Sequence, residues 1–164
     1  MILRNVKIED AAQIAKLYNF YVKNTHHTFE TEPLNVSQMQ KRIAEISKNY
    51  PYLVAENDDE ILAYAYAAKY KPRLAYKNSV EVSIYVKNNV QQKGIGTKLY
   101  KKLFDELSQK AIHAIIAGIA LPNQASIKLH ENFGFEKVAH FREVGFKFGR
   151  WIDVGYWEII QNQR

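Results

Sequence analysis

The chain has 164 residues, of which 47% are hydrophobic, and it contains no cysteine. This length and apolar content predict a single domain, residues 1–164, with a core of its own. The lack of cysteine excludes a disulfide scaffold, a cysteine-based metal site and a thiol nucleophile. The formal net charge of +6 is typical of a lysine-rich soluble surface, and it is also compatible with a polyanionic small ligand. No basic run interleaved with aromatic residues is present, so we expect no nucleic-acid partner.

The N-terminal segment carries charged side chains within its first ten residues and has no long apolar core. Such a segment is typical of neither a secretory signal nor a membrane span. We therefore expect a cytoplasmic protein that has no membrane partner.

The hydrophobic periodicity predicts a mixture of strands and helices. In chain order, the predicted elements are a strand at 3–6, a helix at 10–23, a helix opened by Asn35, strands at 52–56, 61–68 and 80–86, a helix at 96–108, a strand at 112–119, a helix at 125–132, and strands at 136–147 and 151–160. Antiparallel strands come first and strand-helix-strand units follow. This order predicts an α+β (mixed α/β) fold.

The strand at 80–86 shows the clearest alternation in the sequence. One face carries apolar side chains, namely Val80, Val82, Ile84 and Val86, and the other carries Glu81, Ser83 and Tyr85. The apolar face must be core. The other face either meets solvent, as is common in antiparallel sheets, or lines a site.

A glycine-containing loop joins this strand to the next helix. It reads Gln91-Gln92-Lys93-Gly94-Ile95-Gly96. A helix N-terminus binds anions, and glycine lets the backbone approach a ligand closely. The Rossmann fingerprint fails because Leu99 stands where a third glycine is needed, and the residue order does not fit a P-loop. A diphosphate cradle and a bare structural turn both remain open on these residues alone.

Two motifs together indicate a family. Gln91-x-x-Gly94-x-Gly96 after a β-branched strand resembles the acetyl-CoA diphosphate loop of the GNAT superfamily of N-acetyltransferases, and Asn123-x-x-Ser126 with Gly134-Phe135 resembles its second conserved segment. A narrower resemblance, to the phosphinothricin N-acetyltransferase group, covers nearly the whole chain. Its matching segments are 18–22, 28–33, 75–76, 81–86, 121–123, 145–147 and 151–155. That group also acetylates methionine sulfoximine and related amino acids.

The resemblance implies a GNAT-type fold, in which a central, mixed and mostly antiparallel twisted sheet is flanked by helices, and acetyl-CoA as cofactor. The implied cofactor-binding residues are Ile84, Tyr85 and Val86 of the strand, Gln91, Gln92, Lys93, Gly94, Ile95, Gly96 and Thr97 of the loop, and Asn123 and Ser126 of the second motif.

The resemblance also implies two catalytic residues. Glu81 lies on the strand that leads into the cofactor loop, and the matching glutamate of the group is the general base, acting through a water. His130 follows Asn123 on the predicted helix, and the resemblance makes it an acid or an orienting group. A partly buried structural histidine on a helix is the other interpretation of His130.

The acceptor site is predicted from the loop that precedes the Glu81 strand. Lys71, Arg73 and Tyr76 form a cationic, aromatic group there, and arginine can hold a carboxylate or phosphinate through two hydrogen bonds. The predicted substrate-binding residues are Phe29, Lys71, Arg73, Tyr76, Ser83 and Tyr100. The sequence thus predicts transfer of an acetyl group to the amino group of a small amino acid analogue.

Two other readings remain open. The acceptor could be a protein N-terminus or a polyamine, although a polyamine site should be acidic and the Lys71 loop is cationic. The chain could also be a non-enzymatic acyl-CoA sensor, which would need the reactive positions to be lost. No spacing of histidine and carboxylate residues predicts a metal site. The resemblance implies a homodimer.

Overall fold

The computed structural model describes residues 1–90 and 94–161. The strands are β1 (Ile2–Asn5), β2 (Tyr52–Asn57), β3 (Glu60–Lys69), β4 (Ser79–Val86), β5 (Ala114–Ala120), β6 (Glu136–Lys147) and β7 (Arg150–Ile160). The α-helices are α1 (Ala11–Asn24), α2 (Val36–Ser47), α3 (Ile95–Ser108) and α4 (Gln124–Asn132). Every predicted element is present, with ends shifted by at most two residues.

The strands follow the order β1-β2-β3-β4-β5-β7-β6 in a seven-stranded sheet. β4 and β5 pair in parallel, whereas β1 with β2, β2 with β3, β5 with β7, and β6 with β7 pair antiparallel. The predicted α+β (mixed α/β) class, with a mixed and mostly antiparallel sheet, is confirmed.

Residue contacts divide the chain into two compact units. The first comprises Met1–Phe20, Leu34–Ala68 and Val82–Ala111, and the second comprises Tyr21–Pro33, Lys69–Glu81 and Ile112–Arg164. The single domain expected over residues 1–164 stays a prediction.

The first unit has its core between β2 and the helices α2 and α3, which pack against that strand. Leu99, Leu103 and Leu107 recur every four residues on α3 and are all fully buried. Burial of each such side chain contributes about 1.5–3 kcal/mol. The helix α2 begins with a capping box, in which Asn35 Oδ1 accepts a hydrogen bond from the Gln38 amide at 2.8 Å.

The second unit is built on the β5-β7-β6 ladder, and α4 packs against β5. The ladder between β6 and β7 is interrupted, because Phe141 pairs with Val154 while Gly145 pairs with Ile152. Asp153 stabilises the resulting bulge, because its Oδ1 accepts a hydrogen bond from the Glu143 amide at 2.9 Å. A bulge of this kind re-aims the side chains that follow it.

Candidate active site

The Glu81 carboxylate lies where the parallel ladder between β4 and β5 ends. Its neighbours Val80 and Val82 point into the core, so Glu81 projects from the opposite face, where it is half-buried. Glu81 pairs with Ile116 of β5. Burial therefore raises the pKa of this carboxyl above that of an ordinary glutamate.

Gly118 leaves room for two side chains next to that carboxylate. A Cβ at this position would lie 3.3 Å from Glu81 Oε1 and 3.1 Å from Tyr156 Cε1. The register of β5 and β7 places Gly118 opposite Tyr156, so the carboxylate and the phenol ring meet above the glycine. Burial, and then the charge of Glu81, raises the pKa of Tyr156.

The loop before β4 contributes aromatic rings and a cation in the same unit. The rings of Tyr70 and Tyr76 meet edge to face, with centroids 5.6 Å apart. Lys71 Nζ lies 5.2 Å from the Tyr70 centroid and 5.7 Å from the Tyr76 centroid. Tyr70 also interacts electrostatically with Tyr156. Lys71 and Tyr76 are therefore brought together as predicted neighbours, and Arg73 lies exposed on the same loop.

The predicted residue Phe29 lies on the loop between α1 and α2. Its ring is 41% exposed, and its inner side rests on Gly145 of β6, where an added Cβ would overlap the ring. Phe29 thus presents one ring face outward while the other is held by the sheet.

The helix α4 holds Asn123, Ser126 and His130 in one local network. Asn123 caps the helix, since its Oδ1 accepts a hydrogen bond from the Ser126 amide at 3.2 Å. His130 is buried, its Nδ1 lies 2.7 Å from the Ser126 carbonyl oxygen, and its ring meets Phe135 edge to face. Since the carbonyl only accepts, Nδ1 carries the proton. Burial lowers the pKa of His130, although the Ser126 hydrogen bond opposes that shift.

The N-terminus of α3 has the features that an anionic ligand requires. Gly94 precedes the helix with φ of +91°, a conformation that favours glycine, and a Cβ there would meet no atom within 4 Å. The first turn holds no acidic residue. Gly94, Thr97 and the half-buried Gly96 are accessible, whereas Ile95 anchors the turn in the core. These residues fit a diphosphate group.

Three predicted residues of the glycine loop, Gln91, Gln92 and Lys93, lie outside the described residues. The remaining predictions on β4, namely Ser83, Ile84, Tyr85 and Val86, fall on half-buried positions. The ring of Tyr85 stacks on Tyr64, with centroids 5.4 Å apart.

Tyr100 lies in the core of the first unit. It has no exposed surface, and its ring packs 5.1 Å from that of Phe104 in the core of the first unit. The apolar stripe of α3 is wider than its leucines alone indicate, so Tyr100 lies inside it. We therefore do not retain Tyr100 among the substrate-binding residues.

Some site residues escaped the sequence analysis. Gly118 and Tyr156 lie beside Glu81 in the second unit, Tyr70 interacts with Tyr156, and none of the three belongs to a motif. The one available signal was Gly118, because a glycine inside an apolar strand often marks a close approach of another group.

Within residues 1–90 and 94–161, no group of three or more histidine and carboxylate side chains could hold a metal ion. In that part of the chain, none of the helices combines the length and hydropathy needed to cross a membrane.

The fold and these residues define an acetyltransferase, and comparison with known families agrees. Residues 3–155 match the acetyltransferase (GNAT) domain family. The chain belongs to the GNAT family, whose members transfer an acetyl group from acetyl-CoA. It is accordingly an acetyl-CoA-dependent amino-acid N-acetyltransferase.

Its relatives narrow the class. A phosphinothricin N-acetyltransferase of Streptomyces coelicolor is 42% identical over 154 residues, which cover 92% of this chain and 90% of the relative. An L-methionine sulfoximine/L-methionine sulfone acetyltransferase of Pseudomonas paraeruginosa is 32% identical over 96% of this chain and 92% of the relative.

A solved structure of an enzyme of the same kind is also similar to this chain. The phosphinothricin acetyltransferase of Sinorhizobium meliloti, crystallised with AcCoA, superposes with a TM-score of 0.94. It is 33% identical to this chain and covers 99% of it, and 89% of that structure is covered in turn. The predicted family and the predicted cofactor are both confirmed.

Proposed function

We propose that this protein acetylates the amino group of a small amino acid analogue such as phosphinothricin or methionine sulfoximine. The observation that carries the proposal is the half-buried Glu81 carboxylate, which lies beside Tyr156 in the same unit as the cationic Lys71 loop. The names of the relatives support the acceptor class.

Glu81 is the proposed general base, acting through a water molecule. An acceptor ammonium must lose a proton before its nitrogen can attack, because a protonated amine has no free electron pair. Burial raises the pKa of Glu81, which makes its carboxylate a better proton acceptor. Acetyl-CoA, when bound, supplies the acetyl group as an activated thioester.

The family resemblance assigns cofactor binding to three segments of the chain. The glycine loop, from Gln91 to Thr97, would bind the diphosphate through backbone amides at the start of α3. Backbone groups of Ile84–Val86 would hold the acyl end, and Asn123 with Ser126 would contact the pantetheine arm. The first turn of α3, which carries no acidic residue, supports the first of these assignments.

The acceptor would be oriented by charge and by aromatic contacts. Lys71 and Arg73 would bind the carboxylate or phosphinate of the acceptor, while Phe29 and Tyr76 would line its path. The resemblance to the phosphinothricin group assigns acceptor binding to Ser83 as well. We assign His130 an orienting role, because its Nδ1 proton is held by the Ser126 carbonyl and its burial disfavours the charged form.

We further propose a cytoplasmic homodimer. Large apolar side chains are exposed along the hairpin of the second unit, namely Val138, Phe141, Val144, Phe146, Phe148 and Trp151. A concentration of this kind is typical of a surface that a partner covers. Sedimentation of the purified chain distinguishes a monomer from a dimer. A monomer at all concentrations would contradict the proposed homodimer.

Coenzyme A release tests the reaction and the acceptor together. Phosphinothricin, methionine sulfoximine, the standard amino acids, a peptide and spermidine are offered as acceptors. We expect turnover with the first two and little with spermidine, since Lys71 repels a polycation. Turnover with the peptide or spermidine alone would favour the alternative acceptors.

A variant tests the base. Glu81→Gln keeps the shape of the side chain but removes the proton acceptor, so kcat should fall by about two orders of magnitude. The matched control is Glu136→Gln, the same change at an exposed carboxylate. Equal rates for Glu81→Gln and the wild type would remove Glu81 from the role of base.

A further inference from the structure

Lys147 is a buried lysine that no step of the proposed reaction uses. It ends β6, its exposed fraction is 4%, and its Nζ donates a hydrogen bond to the backbone carbonyl of Thr28 at 2.8 Å. Thr28 is buried too. A lysine is rarely buried unless its ammonium has a partner, so this contact accounts for the position of both groups.

The charged groups around Lys147 come from the same loop. Burial lowers the pKa of Lys147, and the carboxylate of Glu30 opposes that effect. Burial, then His26 and then the charge of Lys147 lower the pKa of His27. The ammonium lies 5.0 Å from the centre of the Phe148 ring. The loop of residues 25–33 thus surrounds the ammonium and supplies its acceptor.

A second contact joins the same strand to the same loop. Gly145 and Lys147 lie two residues apart on β6 and are both buried on one face. The Phe29 ring covers Gly145, where any Cβ would overlap it. Two successive positions on one face of the strand, Gly145 and Lys147, therefore contact two consecutive residues of the loop, Phe29 and Thr28.

A third contact holds the loop near its first residues. Arg150 Nη2 lies 3.0 Å from His26 Nδ1, and His26 Nε2 lies 2.8 Å from the carbonyl oxygen of Pro122. Because arginine only donates, His26 accepts at Nδ1 and donates from Nε2. Pro122 immediately precedes Asn123, so the loop is tied to the segment that caps α4.

We propose that Lys147 is a positioning residue: it fixes the loop of residues 25–33 on β6 so that the exposed face of Phe29 is presented to the acceptor, and it thereby sets acceptor affinity. This inference rests on the proposed function, which places Phe29 in the acceptor path. Lys147 does not touch the reacting atoms in this role. It acts through the Thr28 carbonyl, one residue from Phe29.

The test separates acceptor binding from chemistry. Lys147→Met keeps the length of the side chain and removes its donor and charge. We expect the KM for phosphinothricin to rise about tenfold, because a charge-assisted hydrogen bond that orders the loop is lost. The KM for acetyl-CoA and kcat should stay within about twofold. The control is Lys137→Met, the same change at an exposed position of β6.

A double-mutant cycle shows whether Lys147 acts through Phe29. Phe29→Ala alone should also raise the acceptor KM, and adding Lys147→Met should then raise it no further. Additive effects of the two changes, or an unchanged acceptor KM in Lys147→Met, would overturn the inference. Gly145→Ala serves where Lys147→Met does not fold, because it displaces the Phe29 ring without altering the lysine. An acceptor KM unchanged in Gly145→Ala has the same meaning.

Hydrogen exchange keeps the inference separate from the proposed function. If the wild type turns over none of the acceptors, the acceptor class is wrong, and kinetics cannot report on the loop. Amides of residues 25–33 should still exchange faster in Lys147→Met than in the wild type, while those of α4 do not. Unchanged exchange in the loop would show that Lys147 does not fix it.

Discussion

Gly118→Ala should impair catalysis without unfolding the protein. The new methyl group would lie 3.3 Å from Glu81 Oε1 and 3.1 Å from Tyr156 Cε1, both closer than ordinary van der Waals contact. Each neighbour must move by a few tenths of an ångström. Gly118 does not adopt a left-handed conformation, so alanine introduces no backbone strain.

The expected loss follows from the geometry of the base. A displacement of about 1 Å in a catalytic group can cost about a hundredfold in rate, so a shift of a fraction of that distance should lower kcat by about tenfold. The methyl group also restricts the unfolded chain, which stabilises the fold by about 0.4–1 kcal/mol and offsets part of the crowding.

The assay compares kcat for coenzyme A release with the free energy of unfolding in urea. We expect kcat to fall by about tenfold while the free energy of unfolding changes by less than about 1 kcal/mol. An unchanged kcat in a folded Gly118→Ala protein would refute the reasoning, because Glu81 would then tolerate displacement or take no part in the chemistry.

Three further predictions concern stability and pH. Gly155→Ala places a methyl group against the buried Trp157 ring, so urea unfolding should show a loss of about 1–3 kcal/mol while kcat of the folded fraction is kept. The acidic limb of kcat/KM should lie above the ordinary glutamate range, because burial raises the pKa of Glu81, and it should disappear in Glu81→Gln. Burial opposes the ionisation of Asp10, but the hydrogen bonds from Arg4 and from the Lys7 amide, together with the charges of these two residues, outweigh it and lower the pKa. Asp10 therefore stabilises the fold above its unfolded pKa and loses that contribution as pH falls through its folded pKa.

Each of these has a result that contradicts it. A Gly155→Ala protein as stable as the wild type would show that the Trp157 ring moves aside at little cost. An acidic limb that persists in Glu81→Gln would belong to another group. If Asp10→Asn unfolds at the same urea concentration as the wild type at neutral pH, then the ion pair with Arg4 contributes nothing measurable.

The strand that carries the base was predictable because its pattern is local. Alternation with period two from Val80 to Val86 fixes which side chains share a face, and Val80 and Val82 are indeed buried while Glu81 projects from the other side. The capping box of Asn35 and Gln38 is also local, since both hydrogen bonds span three residues. Such features depend on the chain within one or two turns.

Helix periodicity was less informative about the width of a buried stripe. Leu99, Leu103 and Leu107 identify the centre of the stripe on α3, and all three are buried. Tyr100 follows Leu99 at 100° around the helix, where a polar tip is compatible with either a pocket or the core. The packing of the first unit buries Tyr100 in the core, and that packing cannot be deduced from the period of the helix.

The sequence by itself determined the elements, the apolar face of β4 and the motifs that identify the family, because each depends on spacing along a short stretch of chain. Only the tertiary structure decided that Tyr156 lies beside Glu81 above Gly118, and that Lys147 binds the Thr28 carbonyl. Strand register places Tyr156 opposite Gly118 and so beside Glu81. Lys147 and Thr28 are 119 positions apart in the chain and meet only in the folded structure. A period shows which face a side chain occupies, but the partner on that face is chosen by how distant strands align.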